Sequence, residues 1–314
     1  MSYYRSALAL VFGLFALSGE YARAEVIKQP ALHATSVFRG AETVTVALVQ
    51  LQSENVGNWE VVEHWVEEAR SKGADFVIFP ESAYLGWLNP AAFTEATTVP
   101  GPVTEILSKI AARNGVYIAF GLAEKGPNVS DDVYVPYDAG LLIGPDGSIL
   151  IHSRKHQVLK NAFSPANCPP GTSDSTGGCS YYQASVDMIP VVPTVLGNTA
   201  VLVCADAYTY DTTALDHVKS LGVQTVIVVW GVTAGQEDQC GTDGFSAIGF
   251  AKDAAIYANA MVIGANAIGK RPYGRFLPSV YCGYSGIVAA NGTIIGSVDD
   301  TGGVFLFDVP TSSE

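Results

Sequence analysis

The sequence alternates two kinds of stretch, and that alternation limits the folds open to it. Short, nearly continuous apolar runs such as VTVALVQL (Val44–Leu51), ADFVIFPE (Ala74–Glu81) and VYIAFGLAE (Val116–Glu124) read as buried strands. Between them lie stretches of helical period. Trp59, Val62, Trp65, Val66 and Ala69 share one face, with Asn58 placed to cap that helix and Gly73 to stop it. PVTEILSKIAARNG gives a second helix, opened by Pro102 and ended by Gly115. The second half repeats the scheme. TAVLVCAD (Thr199–Asp206), QTVIVVW, MVIGANA and the closing GVFLFDV are strand-like, whereas TTALDHVKSLG and GFSAIGFAKDAAIYANA are helical. Two hairpins are inserted, AGLLIGPDGSILIHSRK (Ala139–Lys155) around GPDG and SGIVAANGTIIGSV around an Asn-Gly turn. This pattern predicts an α/β layered fold with mixed sheets. No linker composition divides residues 43–310, which read as one domain.

The first residues read as an address. Arg5 supplies a positive start, ALALVFGLFAL (Ala7–Leu17) is an apolar core of eleven residues, and ARA (Ala22–Ala24) has the small residues of a cleavage site. These features predict a secretory signal peptide over residues 1–24, cut after Ala24, with a mature N-terminal arm over 25–42. Eleven helical residues reach about 17 Å, short of the ~30 Å hydrocarbon layer. No other segment is long and apolar enough, so no membrane span is expected after cleavage. The destination is extracellular or periplasmic.

An oxidising destination changes what the cysteines mean. There are five: Cys168, Cys179, Cys204, Cys240 and Cys282. An odd count leaves at least one thiol over in a monomer. Cys168 and Cys179 bracket a polar, Gly/Pro-rich loop, and Cys240 and Cys282 both stand in loop-like stretches. The natural pairing is Cys168–Cys179 with Cys240–Cys282, leaving Cys204 free, although sequence alone does not fix the connectivity. No CxxC and no Cys/His cluster is present, so no metal is expected. The sequons at Asn128 (NVS) and Asn291 (NGT) are candidate glycosylation sites. The formal net charge of −13 repels phosphate backbones and argues against nucleic acid as a partner.

Three polar residues stand where apolar runs stop: Glu81 after FVIFP, Lys155 after ILIHSR, and Cys204 after VLV. Ligands of open α/β sheets collect outside the carboxyl ends of strands. Aromatic residues after these points are candidates to line an apolar pocket: Tyr84, Trp87, Tyr208, Tyr210 and Trp230. Each is as readily a packing residue. His156, beside Lys155, reads as structural.

Phe79-Pro-Glu-Ser with the AYLGW that follows, HSRKH from His152, and VLVCADAY from Val201 resemble the three signatures of the carbon–nitrogen hydrolase (nitrilase) superfamily, in that family's order. The similarity runs from about Val44 to Val309. The secretory start, the GW after Glu81 and the CADAYTYD segment look most like the secreted vanin- and biotinidase-like amidases. The resemblance implies a four-layer αββα sandwich with two mixed β-sheets and assembly as a homodimer or larger. It implies Cys204 as nucleophile, Glu81 as general base and Lys155 as cationic stabiliser, acting on a small-molecule amide or nitrile without cofactor. The backbone N–H of Ala205 would join Lys155 in stabilising the developing charge. One departure stands out. Many members carry a second glutamate soon after the lysine, but no Glu occurs here between Glu124 and Glu237. Asp206, Asn161 or a residue of the Cys168–Cys179 loop would have to take its place. A non-catalytic protein retaining the fold is the alternative from another class.

Overall fold

The computed structural model describes residues 43–311 apart from 161, 164–167, 170, 172, 174–178, 180–181, 243 and 275. Residues 1–42, read from sequence as a signal peptide and an arm, lie outside the described residues, as do Asn161 and most of the Cys168–Cys179 loop.

The first apolar run forms β1 (Thr43–Gln50). Helix α1 (Trp59–Ser71) follows, and Asn58 caps it by accepting the Val61 N–H at 3.3 Å. Next come β2 (Phe76–Ile78), the short α2 (Ala92–Glu95) and α3 (Pro102–Asn114), which ends at Gly115 in the left-handed region. Strand β3 (Tyr117–Glu124), a surface ribbon β4 (Asn128–Ser130) and β5 (Val133–Tyr134), and the hairpin β6 (Tyr137–Ile143) and β7 (Ile149–Arg154) complete this half. Strands β1, β2 and β3 are parallel, joined by helical crossovers, and β6 and β7 extend the sheet antiparallel. Val62, Val66, Leu107 and Ile110 of α1 and α3 pack on Ala47, Val49, Val77 and Ile118 of the sheet.

The second half repeats the plan. Its strands are β8 (Val191–Thr194), β9 (Gly197–Val203) and β10 (Thr225–Val229), then the short β11 (Thr233–Ala234). They continue as β12 (Met261–Ala265), β13 (Ile268–Lys270), β14 (Val280–Cys282), β15 (Gly286–Val288), β16 (Ile294–Ser297) and β17 (Gly303–Pro310). Helix α4 (Thr213–Ser220) links β9 to β10, and α5 (Ala247–Ala258) precedes β12. Strands β9, β10 and β12 are parallel, with β8, β15 and β16 antiparallel at the flanks. Strand β17 crosses back and pairs antiparallel with the whole of β1. The result is two six-stranded mixed sheets, ordered β17-β1-β2-β3-β6-β7 and β16-β15-β12-β10-β9-β8.

The sheets face each other, which produces the αββα sandwich. A Cβ on Gly140 of β6 would meet Val201 Cγ1 of β9 at 2.8 Å and Val203 Cγ2 at 3.2 Å. Glycine there lets the two sheets approach.

Two strands stop earlier than their apolar runs. Strand β2 covers only Phe76–Ile78, because Pro80 has no N–H to give a ladder and the chain turns away. Strand β9 ends at Val203, and Cys204–Ala207 form a 3-10 turn. Cys204 therefore begins a turn, where the sequence placed it on a strand.

If Gly140 sets the spacing between the sheets, Gly140→Val will overpack that contact. The expected destabilisation is about 1–3 kcal/mol, read as a lower denaturant midpoint with an unchanged slope. An unaltered midpoint would show that the sheets have room to spare.

Candidate active site

Glu81, Lys155 and Cys204 lie just beyond the ends of β2, β7 and β9, and the sandwich brings all three together. They are 2 %, 3 % and 5 % exposed. The Glu81 N–H donates to the Trp230 carbonyl at 3.0 Å, tying the end of the first sheet to the end of β10 in the second. The Lys155 N–H donates to the Asp138 carbonyl at 2.8 Å. The Lys155 ammonium donates to Glu81 Oε1 and, at 3.3 Å, to Asp138 Oδ2. A lysine charge can be kept in this dry setting because two carboxyl groups surround it. Burial works against that charge, but the acidic groups around it, Glu81 foremost, outweigh it and hold the Lys155 pKa well above its usual value.

Cys204 has φ +44°, in the left-handed region that side-chain-bearing residues rarely enter. Such strain costs on the order of 1–3 kcal/mol and fixes where the sulfur points. The Gly231 backbone N–H favours the charged form of the sulfur, and the Tyr208 hydroxyl lies 3.6 Å from it. A Cβ on Gly231 would overlap Glu81 Oε2, so that oxygen lies directly against the Gly231 backbone. Glu81 Oε2 receives no hydrogen bond and is open to a proton from the thiol. Burial and the charge of Glu81 push the Cys204 thiol up to about 12, against the opposing pull of Lys155, the Gly231 N–H and Tyr208. The resting thiol is protonated at neutral pH and needs a base to react.

Cys204 and Lys155 open onto a cavity of about 570 Å³. Trp87, His156, Ala205, Tyr208 and Tyr210 also line it, and Tyr210 is exposed at the rim. Trp87 has two cations over its ring, with Lys155 Nζ 5.9 Å and Arg271 Cζ 5.2 Å from the centroid. The buried Arg271 guanidinium donates to the Tyr273 and Phe276 carbonyls and to Ser279 Oγ, so it braces this wall from behind.

Two aromatic candidates stand elsewhere. Trp230 is completely buried and does not line the cavity; it stacks behind Tyr208, with centroids 6.1 Å apart. Tyr84 stacks on Trp59 and faces a separate cavity of about 800 Å³, shared with Tyr273 and Tyr281. Proximity to a strand end in sequence does not decide which way a ring points.

Asp206 accepts the backbone N–H groups of His156 (3.0 Å) and Gln157 (2.8 Å), which fixes the turn that follows Lys155. The second carboxyl group on the lysine, beside that of Glu81, is Asp138, a residue the sequence reading missed. Its signal was a lone acid in the apolar strand YDAGLLI. The structure pairs Cys168 with Cys179 (Cα–Cα 5.8 Å) and Cys240 with Cys282 (5.0 Å), and Cys204 is free. Asn128 and Asn291 are both exposed. Among the described residues there is no cluster of three His, Cys, Asp or Glu side chains able to hold a metal.

The raised thiol pKa has a kinetic signature. Thiolate is scarce below the folded pKa, so iodoacetamide labelling of Cys204 in the wild type will keep rising with pH beyond the ~8.5 of an ordinary cysteine. Mass spectrometry of the labelled peptide reads this, and a plateau near 8.5 would contradict the buried thiol described here.

Comparison with known proteins places this geometry in context. The family model for carbon-nitrogen hydrolases matches residues 45–313. Nitrilase 3 of Arabidopsis thaliana is 26% identical over 186 residues, which is 52% of this chain and 48% of that protein. A formamidase of Bacillus cereus (strain B4264) is 31% identical over 86 residues, 26% of this chain and 24% of that protein. The chain thus spans about half the length of the curated nitrilase, and less of the formamidase. Among solved structures, an amidase from Nesterenkonia sp. superposes with a TM-score of 0.65 at 18% identity, covering 88% of this chain and 93% of that one. A variant of that amidase, with a TM-score of 0.65 at 19% identity, carries the acetamide moiety of fluoroacetamide on its active-site cysteine; the match covers 87% of this chain and 92% of that one. With the family model matched along most of its length, the chain belongs to the carbon–nitrogen hydrolase family.

Proposed function

We propose that this chain is a secreted thiol hydrolase that cleaves a linear, non-peptide amide through Glu81, Lys155 and Cys204. The observation that carries the reading is their convergence: one free cysteine, one carboxylate with an open oxygen and one buried ammonium, all at a cavity. A space of about 570 Å³ suits a small molecule.

The chemistry follows from the groups present. Glu81 takes the thiol proton as the Cys204 sulfur attacks the carbonyl carbon and a C–S bond forms. The carbonyl oxygen gains negative charge, which the Lys155 ammonium and the Ala205 N–H stabilise. As the tetrahedral species collapses, protonated Glu81 returns its proton to the departing nitrogen and the C–N bond breaks. A water, deprotonated by Glu81, then attacks the thioester carbonyl. The acid leaves and the thiol is restored. Trp87 and Tyr208 form apolar walls against the acyl group. The alkylated cysteine of the Nesterenkonia amidase variant supports the role given to Cys204. The similarity to plant nitrilases supports a second reading, attack on a C≡N bond, in which the same three residues serve. Secretion is supported by the apolar leader and by two disulfides beside one free thiol.

A panel of amides and the matching nitriles, with ammonia and acid both measured, tests the reaction. The wild type will hydrolyse amides, and Cys204→Ala will lose at least about 10³-fold in kcat/KM. Turnover retained by the variant would overturn the proposal, and ammonia from nitriles alone would decide for the second reading. Protein collected from the medium of a secreting host will begin at Glu25. Protein retained inside the cells with Met1 in place would overturn secretion.

A further inference from the structure

Asp138 is fully buried on β6, and no part of the scheme above uses it. Its Oδ2 accepts from the Lys155 ammonium at 3.3 Å, while its Oδ1 receives no N–H or O–H donor. The Asp138 and Glu81 carboxyl groups are within hydrogen-bonding reach of each other. Two ionised carboxylates have only acceptors and cannot bond to one another; the contact requires a proton on one of them. A proton on Asp138 Oδ1 turns an unsatisfied buried acceptor into a donor and leaves Oδ2 free to accept from Lys155. It also avoids placing two anions and one cation in a dry pocket.

The surrounding groups reinforce this assignment. Glu81 follows β2, Lys155 follows β7 and Cys204 follows β9, while Tyr281 on β14 feels the charges of both Glu81 and Asp138. On the neighbouring strands, Glu124 of β3 and Arg154 of β7 are engaged with each other, at 2.6 and 2.8 Å, and bring Asp138 no second cation. Burial and the nearby Glu81 charge raise the Asp138 pKa well above the usual carboxylate range.

We infer that Asp138 is a positioning residue held as the neutral acid, its hydroxyl donating to Glu81 while its carbonyl oxygen anchors the Lys155 ammonium. The cluster then carries one cation and one anion, and Glu81 stays ionised. The catalytic consequence rests on Glu81 being the base. An ionised Asp138 would set a second anion against Glu81 and hold Lys155 away from a developing oxyanion. Activity will fall as alkaline pH removes the Asp138 proton.

Infrared spectroscopy tests the protonation without relying on turnover. At pH 7 the wild type will show a protonated-carboxyl C=O band that moves when the protein carries side-chain ¹³C-aspartate. The band will be absent from Asp138→Asn and present in Cys204→Ala. Asparagine mimics the neutral acid, so Asp138→Asn will keep iodoacetamide labelling of Cys204 and amide turnover at pH 7 within about threefold of wild type. It will also lose the alkaline fall. Absence of an isotope-sensitive band, its persistence in Asp138→Asn, or an unchanged alkaline fall would overturn the inference. A band that behaves as stated in a protein whose Cys204→Ala variant still turns over would instead sink the reaction proposed above.

Discussion

The buried ammonium of Lys155 organises everything around it. Removing a lysine charge from water costs several kcal/mol unless opposite charge is delivered to it. Here Glu81 brings that charge from the end of β2 and Asp138 adds a second oxygen acceptor from within β6, while the lysine follows β7. These points belong to one sheet. The sulfur belongs to the other. The chain can assemble them only if the carboxyl ends of the two sheets meet, which is what the face-to-face packing at Gly140 and the Glu81–Trp230 backbone bond accomplish. The return of β17 to pair with β1 sews the second half of the chain into the first sheet. The architecture thus brings an ammonium, a carboxyl group and a thiol to one dry point, where electrostatic effects are strongest.

Much of this was legible from the residues. Apolar runs alternating with helical periodicity specify a layered α/β sandwich, because each strand needs a cover on both faces. Glu81, Lys155 and Cys204 could be found because each interrupts an apolar run at its end, in the order of a known family. Asp138 was not found, because a single acid inside YDAGLLI looks like an edge position until the partner lysine is placed in space. Asp206 was picked out as a candidate support for the lysine, and it works on the backbone of the following turn instead.

The aromatic candidates show a second limit. Trp87 and Tyr208 face the cavity at Cys204, whereas Trp230 stacks behind Tyr208 and Tyr84 lies on Trp59 beside the second cavity. Direction at a strand end depends on local dihedrals and on what packs behind, and neither is periodic in sequence. Nor did the sequence show that the Trp87 wall rests on Arg271, a residue far along the chain. The early ends of β2 and β9 have local causes, a proline without an N–H and a cysteine with positive φ.

The central claim is that acyl transfer runs through the Cys204 sulfur. Rapid quenching of the protein with an amide substrate, followed by peptide mass spectrometry, tests it most directly. A transient adduct equal to the acyl group, confined to the peptide containing Cys204 and decaying as the acid appears, is the predicted result. Acid and ammonia released with no adduct on Cys204 at any quench time, or with the acyl group on another residue, would contradict it.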